Sequence, residues 1–164
     1  GQPVYHKYLG KNDHGFDWIR ASASMPLVSR IVEIEGRKLL DGGIADSIPV
    51  RYFQSIGYDR NVVVLTQPKD YQKGKNSAMP LIHMKYKRYP NLVAAMENRP
   101  AVYNETLAYI AQEEAAGRLL VLRPPEPLPV DRVEKDPEHL KAAYTIGRQT
   151  AKKRLPEIKA YLQG

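Results

Sequence analysis

In the run Arg37-Lys-Leu-Leu-Asp-Gly-Gly-Ile-Ala-Asp-Ser-Ile-Pro-Val50, an apolar strand delivers one carboxylate, Asp41, straight into two glycines. A second apolar run begins at once and is stopped by Pro49. Gly42 and Gly43 place no side chain beside that carboxylate, so it could take a proton from a neighbouring group. Asp-Gly is also the commonest short hairpin signal, a turn with no chemistry of its own. The tripeptide alone leaves both readings open.

Other reactive groups are sparse. The absence of cysteine excludes disulfides, thiolate metal sites and cysteine nucleophiles. His6, His14, His83 and His139 never fall at i, i+4 or beside paired carboxylates, so neither a zinc site nor a cofactor is expected. The net charge of +7 is concentrated in two stretches. Lys69–Tyr89 carries six Lys/Arg against Asp70 alone, and the segment from Pro137 onward carries six against two acids. Such surfaces attract polyanions. Lys85, Tyr86, Lys87, Arg88 and Tyr89 place tyrosine beside base, a combination suited to an anionic membrane surface. Solvated charge is the plainer alternative. Nucleic-acid motifs are absent, and no nucleic-acid partner is expected.

At 164 residues the chain is read as one domain, 1–164, with a real core. Val4–Leu9 has strand spacing, and Lys11–Gly15 reads as a polar loop. Phe16–Ser24 predicts a helix with Trp18, Ile19 and Ala23 on the buried face. Ile31–Ile34 and Lys38–Leu40 flank a Glu35-Gly36-Arg37 hairpin turn. Pro49 opens a short helix to about Ile56, ended by Gly57. Val62–Leu65 and Leu119–Leu122 read as strands of a parallel sheet buried on both faces. A loop covers Gln67–Ala78. Helices are expected over Pro80–Tyr89, Asn91–Asn98 and Pro100–Ala116, with a break at Pro90. Proline-rich Pro124–Pro129 is an extended connector. A last helix spans Pro137–Leu162, kinked or divided at Pro156, with Leu140, Tyr144, Ala151, Leu155, Ile158 and Leu162 as its apolar stripe. The order argues for an α/β layer, mostly parallel strands with a hairpin and C-terminal helices.

Three pieces of the first half, in order, carry a resemblance: Ile19-Arg-Ala-Ser-Ala-Ser-Met-Pro26, Ile34-Glu-Gly-Arg37, and Leu40-Asp-Gly-Gly43 followed by Asp46-Ser-Ile-Pro-Val50. Together they resemble the patatin-like phospholipases, in which an Ala-Ser-x-x-x-Pro segment precedes a hairpin ending in Asp-Gly-Gly or Asp-Gly-Ala. Gly1-Gln-Pro-Val-Tyr5 resembles the strand before that segment. The likeness is good to about Leu65 and weak beyond. It implies a partial patatin-like fold, with residues 1–67 as the second half of the catalytic region and 68–164 as a mainly helical extension. It also implies a Ser–Asp dyad, in which a serine on a Gly-x-Ser-x-Gly elbow gives its proton to an aspartate. Asp41 matches that aspartate, within the motif Asp41, Gly42, Gly43.

The chain has no Gly-x-Ser-x-Gly, and none of Ser22, Ser24, Ser29, Ser47, Ser55 and Ser77 stands between glycines at that spacing. The family's glycine-rich oxyanion loop is missing too. The chain is therefore expected to be the C-terminal portion of a lipid acyl hydrolase, holding the base but no nucleophile and inactive alone. Its expected partners are a phospholipid or related ester, the N-terminal portion of the parent protein and an anionic membrane surface. The expected location is cytoplasmic or peripheral to the membrane. The alternative is a basic membrane-docking or interaction module without catalysis. Ser22 and Ser24 are expected to allow close packing, Asp46 and Ser47 to cap the helix after Pro49, Arg30 and Arg37 to be exposed, and Trp18 to be core.

Overall fold

The computed structural model describes residues 1–8, 10, 15–131 and 133–163. They form two compact units, one from Gly1–Pro49 with Lys73–Thr106, the other from Val50–Gln72 with Leu107–Gly164. The architecture is mixed α/β, with one hairpin, one parallel strand pair and five helices among the described residues.

In the first unit the opening segment is not a strand: residues 1–8 have no regular secondary structure, are exposed and join no ladder, and Leu9 lies outside the described residues. Side chains anchor it instead. The Tyr5 hydroxyl donates to Asp46, and His6 stacks on Trp18 with ring centroids 4.3 Å apart. The Lys11–Gly15 loop also falls mostly outside the described residues, and Gly15 already belongs to helix α1, Gly15–Ser22. Its inward face is Trp18 and Ala21, whereas Ile19 and Ala23 are exposed. Residues three apart share a helix face, while a neighbour lies about 100° round.

Strands β1 (Val32–Ile34) and β2 (Arg37–Leu39) pair antiparallel with Val32 opposite Leu39 and Ile34 opposite Arg37. Glu35 and Gly36, at φ 51° and 72°, make the left-handed two-residue turn whose twist suits a hairpin. Ala21, Val32 and Ile34 form a small core with Trp18 and Leu39. A larger one joins Ile44, Ile82, Tyr86, Val93 and Met96. It draws on helix α3 (Met79–Lys85) and helix α4 (Pro90–Ala115). The Tyr86 hydroxyl accepts the Leu27 N–H at 3.0 Å, fixing Leu27 at a left-handed φ of 71°.

The expected helices Asn91–Asn98 and Pro100–Ala116 are one continuous helix, α4. Pro90 is its first residue, where the missing N–H costs nothing. Pro100 lies inside it and forfeits one ladder bond. Burial of Val93 and Met96 before it and of Ile110 after it holds the helix together across that gap.

The second unit holds helix α2 (Val50–Ser55), ended at Gly57 with φ 94°. Strands β3 (Asn61–Val64) and β4 (Leu119–Leu122) run parallel, with Val63 opposite Val121, and Leu65 N–H extends the ladder to Leu122 O at 2.8 Å. All four β4 residues are buried, but Val64 is 70% exposed. The apolar run Val62–Leu65 is thus not buried on both faces; its side chains alternate with the period of two of any strand, and Val63 and Leu65 point inward. Glu113 is buried and paired with Arg118, and it also accepts Gln54 Nε2 at 3.1 Å. The Arg118 hydrogen bonds hold its carboxyl below the usual range. Tyr109 donates to Gln54 Oε1 at 2.6 Å and lies under the Arg51 guanidinium. These contacts join α2 to the end of α4.

Helix α5 runs unbroken from Pro137 to Gln163, with Pro156 inside it. The expected apolar stripe is mostly outward: Leu140, Tyr144, Ala151, Leu155 and Leu162 are exposed, and Ile158 alone of the six is half-buried. The half-buried face is Ala143, Ile146, Thr150, Arg154, Ile158 and Tyr161. Polar anchors select it, since Arg154 donates to Val121 O and Tyr161 Oη donates to Arg118 O at 2.7 Å. No helix among the described residues is long and apolar enough to cross a membrane.

The start of α5 is a pH-sensitive cap. Asp136 Oδ1 accepts the Glu138 N–H at 2.9 Å, an N-cap bond. Just before it, Glu134 accepts the Asp136 N–H, a His139 Nδ1 proton and the Lys135 N–H, which lower its carboxyl from 4.5 to about 2. His139 is raised above 6.5, first by the Glu134 hydrogen bond and then by Asp136. A lowered carboxyl contributes stability above 4.5 that is lost as pH falls through about 2. A raised imidazole contributes below 6.5 and loses it as pH rises through its folded value. The cap is thus complete between pH 4.5 and 6.5. In an NMR titration the His139 midpoint should lie above 6.5 and return towards it in Glu134→Gln. An unshifted midpoint in the unsubstituted chain would mean that the pair does not form in solution.

Candidate active site

Asp41 follows β2 and begins a 3₁₀ turn, Gly42–Ile44. Its backbone N–H donates to Ser24 O at 2.9 Å, so the segment after α1 fixes the height of the strand end. Its Oδ1 accepts the Gly43 N–H at 2.7 Å, capping the turn. That is the carboxylate's one hydrogen bond among the described residues, and Oδ2 is left to accept from something else. One oxygen therefore serves the turn while the other stays open.

Gly43 sits where a side chain would crowd the carboxylate, since an added Cβ would lie 3.0 Å from Asp41 Oδ1 and 3.5 Å from Arg99 Nη2. Its carbonyl is held twice, by Arg99 Nε at 2.5 Å and Ser47 Oγ at 2.6 Å. Ile44, the last residue of the turn, is buried in the larger core of this unit. A buried foot and a clamped carbonyl fix the loop, so the carboxylate direction is set before any partner arrives.

Asp41 and Gly42 form part of the wall of a cavity of about 410 Å³. The rest of that wall is largely apolar, with Trp18, Ala21, Ile31, Leu40 and Ile44, and Lys38 and Arg88 add positive charge. The size and lining suit a ligand with a hydrocarbon portion. Trp18 is half-buried at this wall rather than fully core, and its indole N–H is buried without a partner among the described residues.

The remaining candidates sort plainly. Ser24 is buried with its hydroxyl on Arg20 O at 2.7 Å. Ser22 is exposed and lines the same cavity as Asp41, outside any glycine-flanked elbow. Asp46 and Ser47 do not cap α2: Asp46 takes the Tyr5 hydroxyl and the Ile48 N–H, and Ser47 turns back to Gly43 O. Arg30 and Arg37 are exposed. Of the five expected membrane contacts, Lys85, Lys87 and Arg88 are exposed and Tyr89 is half-buried. Tyr86 is 3% exposed, its ring in the core and its hydroxyl on Leu27, so it has no face to offer a membrane. Arg99 was not foreseen, because nothing in the sequence ties it to a turn 56 positions earlier.

Residues 4–53 match the patatin-like phospholipase family. Residues 89–163 match a domain of unknown function, DUF6363. Over 154 residues the chain is 26% identical to a protein of Escherichia coli (strain K12) described as uncharacterized protein YjjU. That alignment covers 86% of this chain and 40% of the relative, so the chain spans less than half the length of the protein it matches.

Proposed function

We propose that this chain supplies the aspartate base of a serine-type lipid acyl hydrolase, with the nucleophilic serine on a part of the protein outside these 164 residues. The observation that carries the reading is the Asp41 carboxylate, one oxygen held by Gly43 N–H and the other unpartnered, in the wall of an apolar cavity. The match of residues 4–53 to the patatin-like phospholipases supports a hydrolase of that kind. In the proposed cycle Asp41 Oδ2 takes the serine proton as Oγ attacks the ester carbonyl. The proton passes to the departing alcohol as the ester bond breaks and the acyl-enzyme forms. Water then gives a proton to Asp41 and its oxygen to the acyl carbon, and the proton returns to serine Oγ as the acyl–Oγ bond breaks and the fatty acid departs. A carboxylate is a weak base in water, so a fixed geometry and an apolar surround must do most of the work.

The test is hydrolysis of phospholipid esters by the longer protein, with a fluorophosphonate probe to locate the nucleophile. Turnover, with the probe on a serine outside these 164 residues, is the expected result. Stoichiometric labelling of Ser22 or any other serine between Ser22 and Ser77 would contradict the assignment.

One observation favours a second, compatible role at anionic membranes. Helix α3 exposes Leu81 and Met84 beside exposed Lys85, Lys87 and Arg88. Each such charge near an anionic surface contributes about 1 kcal/mol. Replacing all three bases by Ala should therefore weaken binding to phosphatidylserine-containing vesicles by at least ~10²-fold at low salt. Equal sedimentation with neutral and anionic vesicles would remove this role.

A further inference from the structure

A second concavity, in the other unit, lies where the two parallel strands end. β3 leads through Leu65 to Lys69, and β4 leads directly to Arg123. The facing stretch of α5 presents Thr150, Lys153 and Arg154, three and four residues apart and so on one helix face. These five residues, with Pro124 and Pro125, line an open concavity of about 340 Å³. In open α/β sheets the carboxyl ends of parallel strands are where ligands are held.

The charges there are not balanced internally. Arg123 is paired with Glu114, and Arg154 with Glu157 at 2.5 Å. Lys69 and Lys153 have no hydrogen-bond or ion partner among the described residues, so the cleft keeps an excess of two positive charges. Both arginines are held at their backs, Arg123 by its carboxylate and Arg154 by Glu157 and Val121 O. Two paired guanidinium groups, two ammonium groups without a partner among the described residues and a threonine hydroxyl belong to side chains that line the cleft from three separate stretches of chain. Donors that approach from several directions suit a compact tetrahedral dianion better than a planar carboxylate. We propose that this cleft is a binding site for a phosphate group. All of its lining residues except Lys69 lie in the region that matches a domain of unknown function, and it shares no residue with the Asp41 cavity.

Isothermal titration of the chain with inorganic phosphate at low ionic strength tests the proposal. Saturable one-site binding is expected, weakened at least ~10-fold in Lys69→Ala/Lys153→Ala, since two charged donors are lost. Lys69→Arg/Lys153→Arg should keep most of it, which separates loss of charge from loss of fold. A short-chain phosphatidic acid below its micelle concentration supplies the same group on a lipid without a membrane. Tighter binding than inorganic phosphate identifies a headgroup as the source, and equal or weaker binding identifies a soluble phosphate. Either outcome supports the site. No saturable phosphate binding, or binding unchanged in the double Ala variant, overturns it. Neither result bears on Asp41.

Discussion

Under the proposed function, Asp41→Asn in a protein that also carries the nucleophilic serine should lower kcat for phospholipid hydrolysis by at least ~10², the scale of a lost general base. Asparagine keeps the shape and can still accept the Gly43 N–H through its amide oxygen, so the 3₁₀ turn survives. What disappears is a basic oxygen on the cavity side. The amide cannot take a proton from a serine, and it can present an N–H where the reaction needs an acceptor. KM should change little, because the apolar wall that would hold an acyl chain is untouched. Near-normal kcat with the fold intact would remove Asp41 from the chemistry.

Ile82→Ala should destabilise the first unit by about 2–5 kcal/mol, read from the denaturant midpoint with the slope unchanged. Ile82 is 1% exposed and packs with Ile44, Tyr86, Val93 and Met96. Truncation forfeits its transfer free energy and leaves a cavity among neighbours held on α3 and α4. Domains are stable by only about 5–15 kcal/mol, so the loss is a large share of the total. The consequence reaches the site, because Ile44 is both a member of this core and the last residue of the turn that aims Asp41. Leu81→Ala, one position away but exposed, should cost under about 0.5 kcal/mol. Equal effects at the two positions would contradict the packing described.

The local signals proved legible and the long-range ones did not. The hairpin around Glu35-Gly36, the helix after Pro49, both strands of the parallel pair and the position of Asp41 before two glycines are written in neighbouring residues. Proline misled where packing overrode it, since Pro100 sits inside a continuous helix, and Pro156 does not divide α5. The face of α5 went wrong for a similar reason: Arg154 and Tyr161 anchor it through carbonyls on β4 and just before it, and hydrophobic periodicity does not record such bonds. Val4–Tyr8 has strand spacing but no ladder partner among the described residues. At the site, the acid and its glycines were readable, whereas Arg99, Ser24 O and the buried foot at Ile44 come from elements that only folding brings together.

The most direct measurement is the rate at which a fluorophosphonate inactivates the longer protein, with Asp41 intact and as Asn. That reaction needs the serine to be activated but needs no lipid binding and no product release, so it isolates the transfer of the serine proton to the base. If Asp41 is that base, Asp41→Asn should slow labelling of the nucleophilic serine by at least ~10², and the 164-residue chain alone should remain unlabelled. Labelling of the Asn variant at the unsubstituted rate would show that another group activates the serine and would contradict the account.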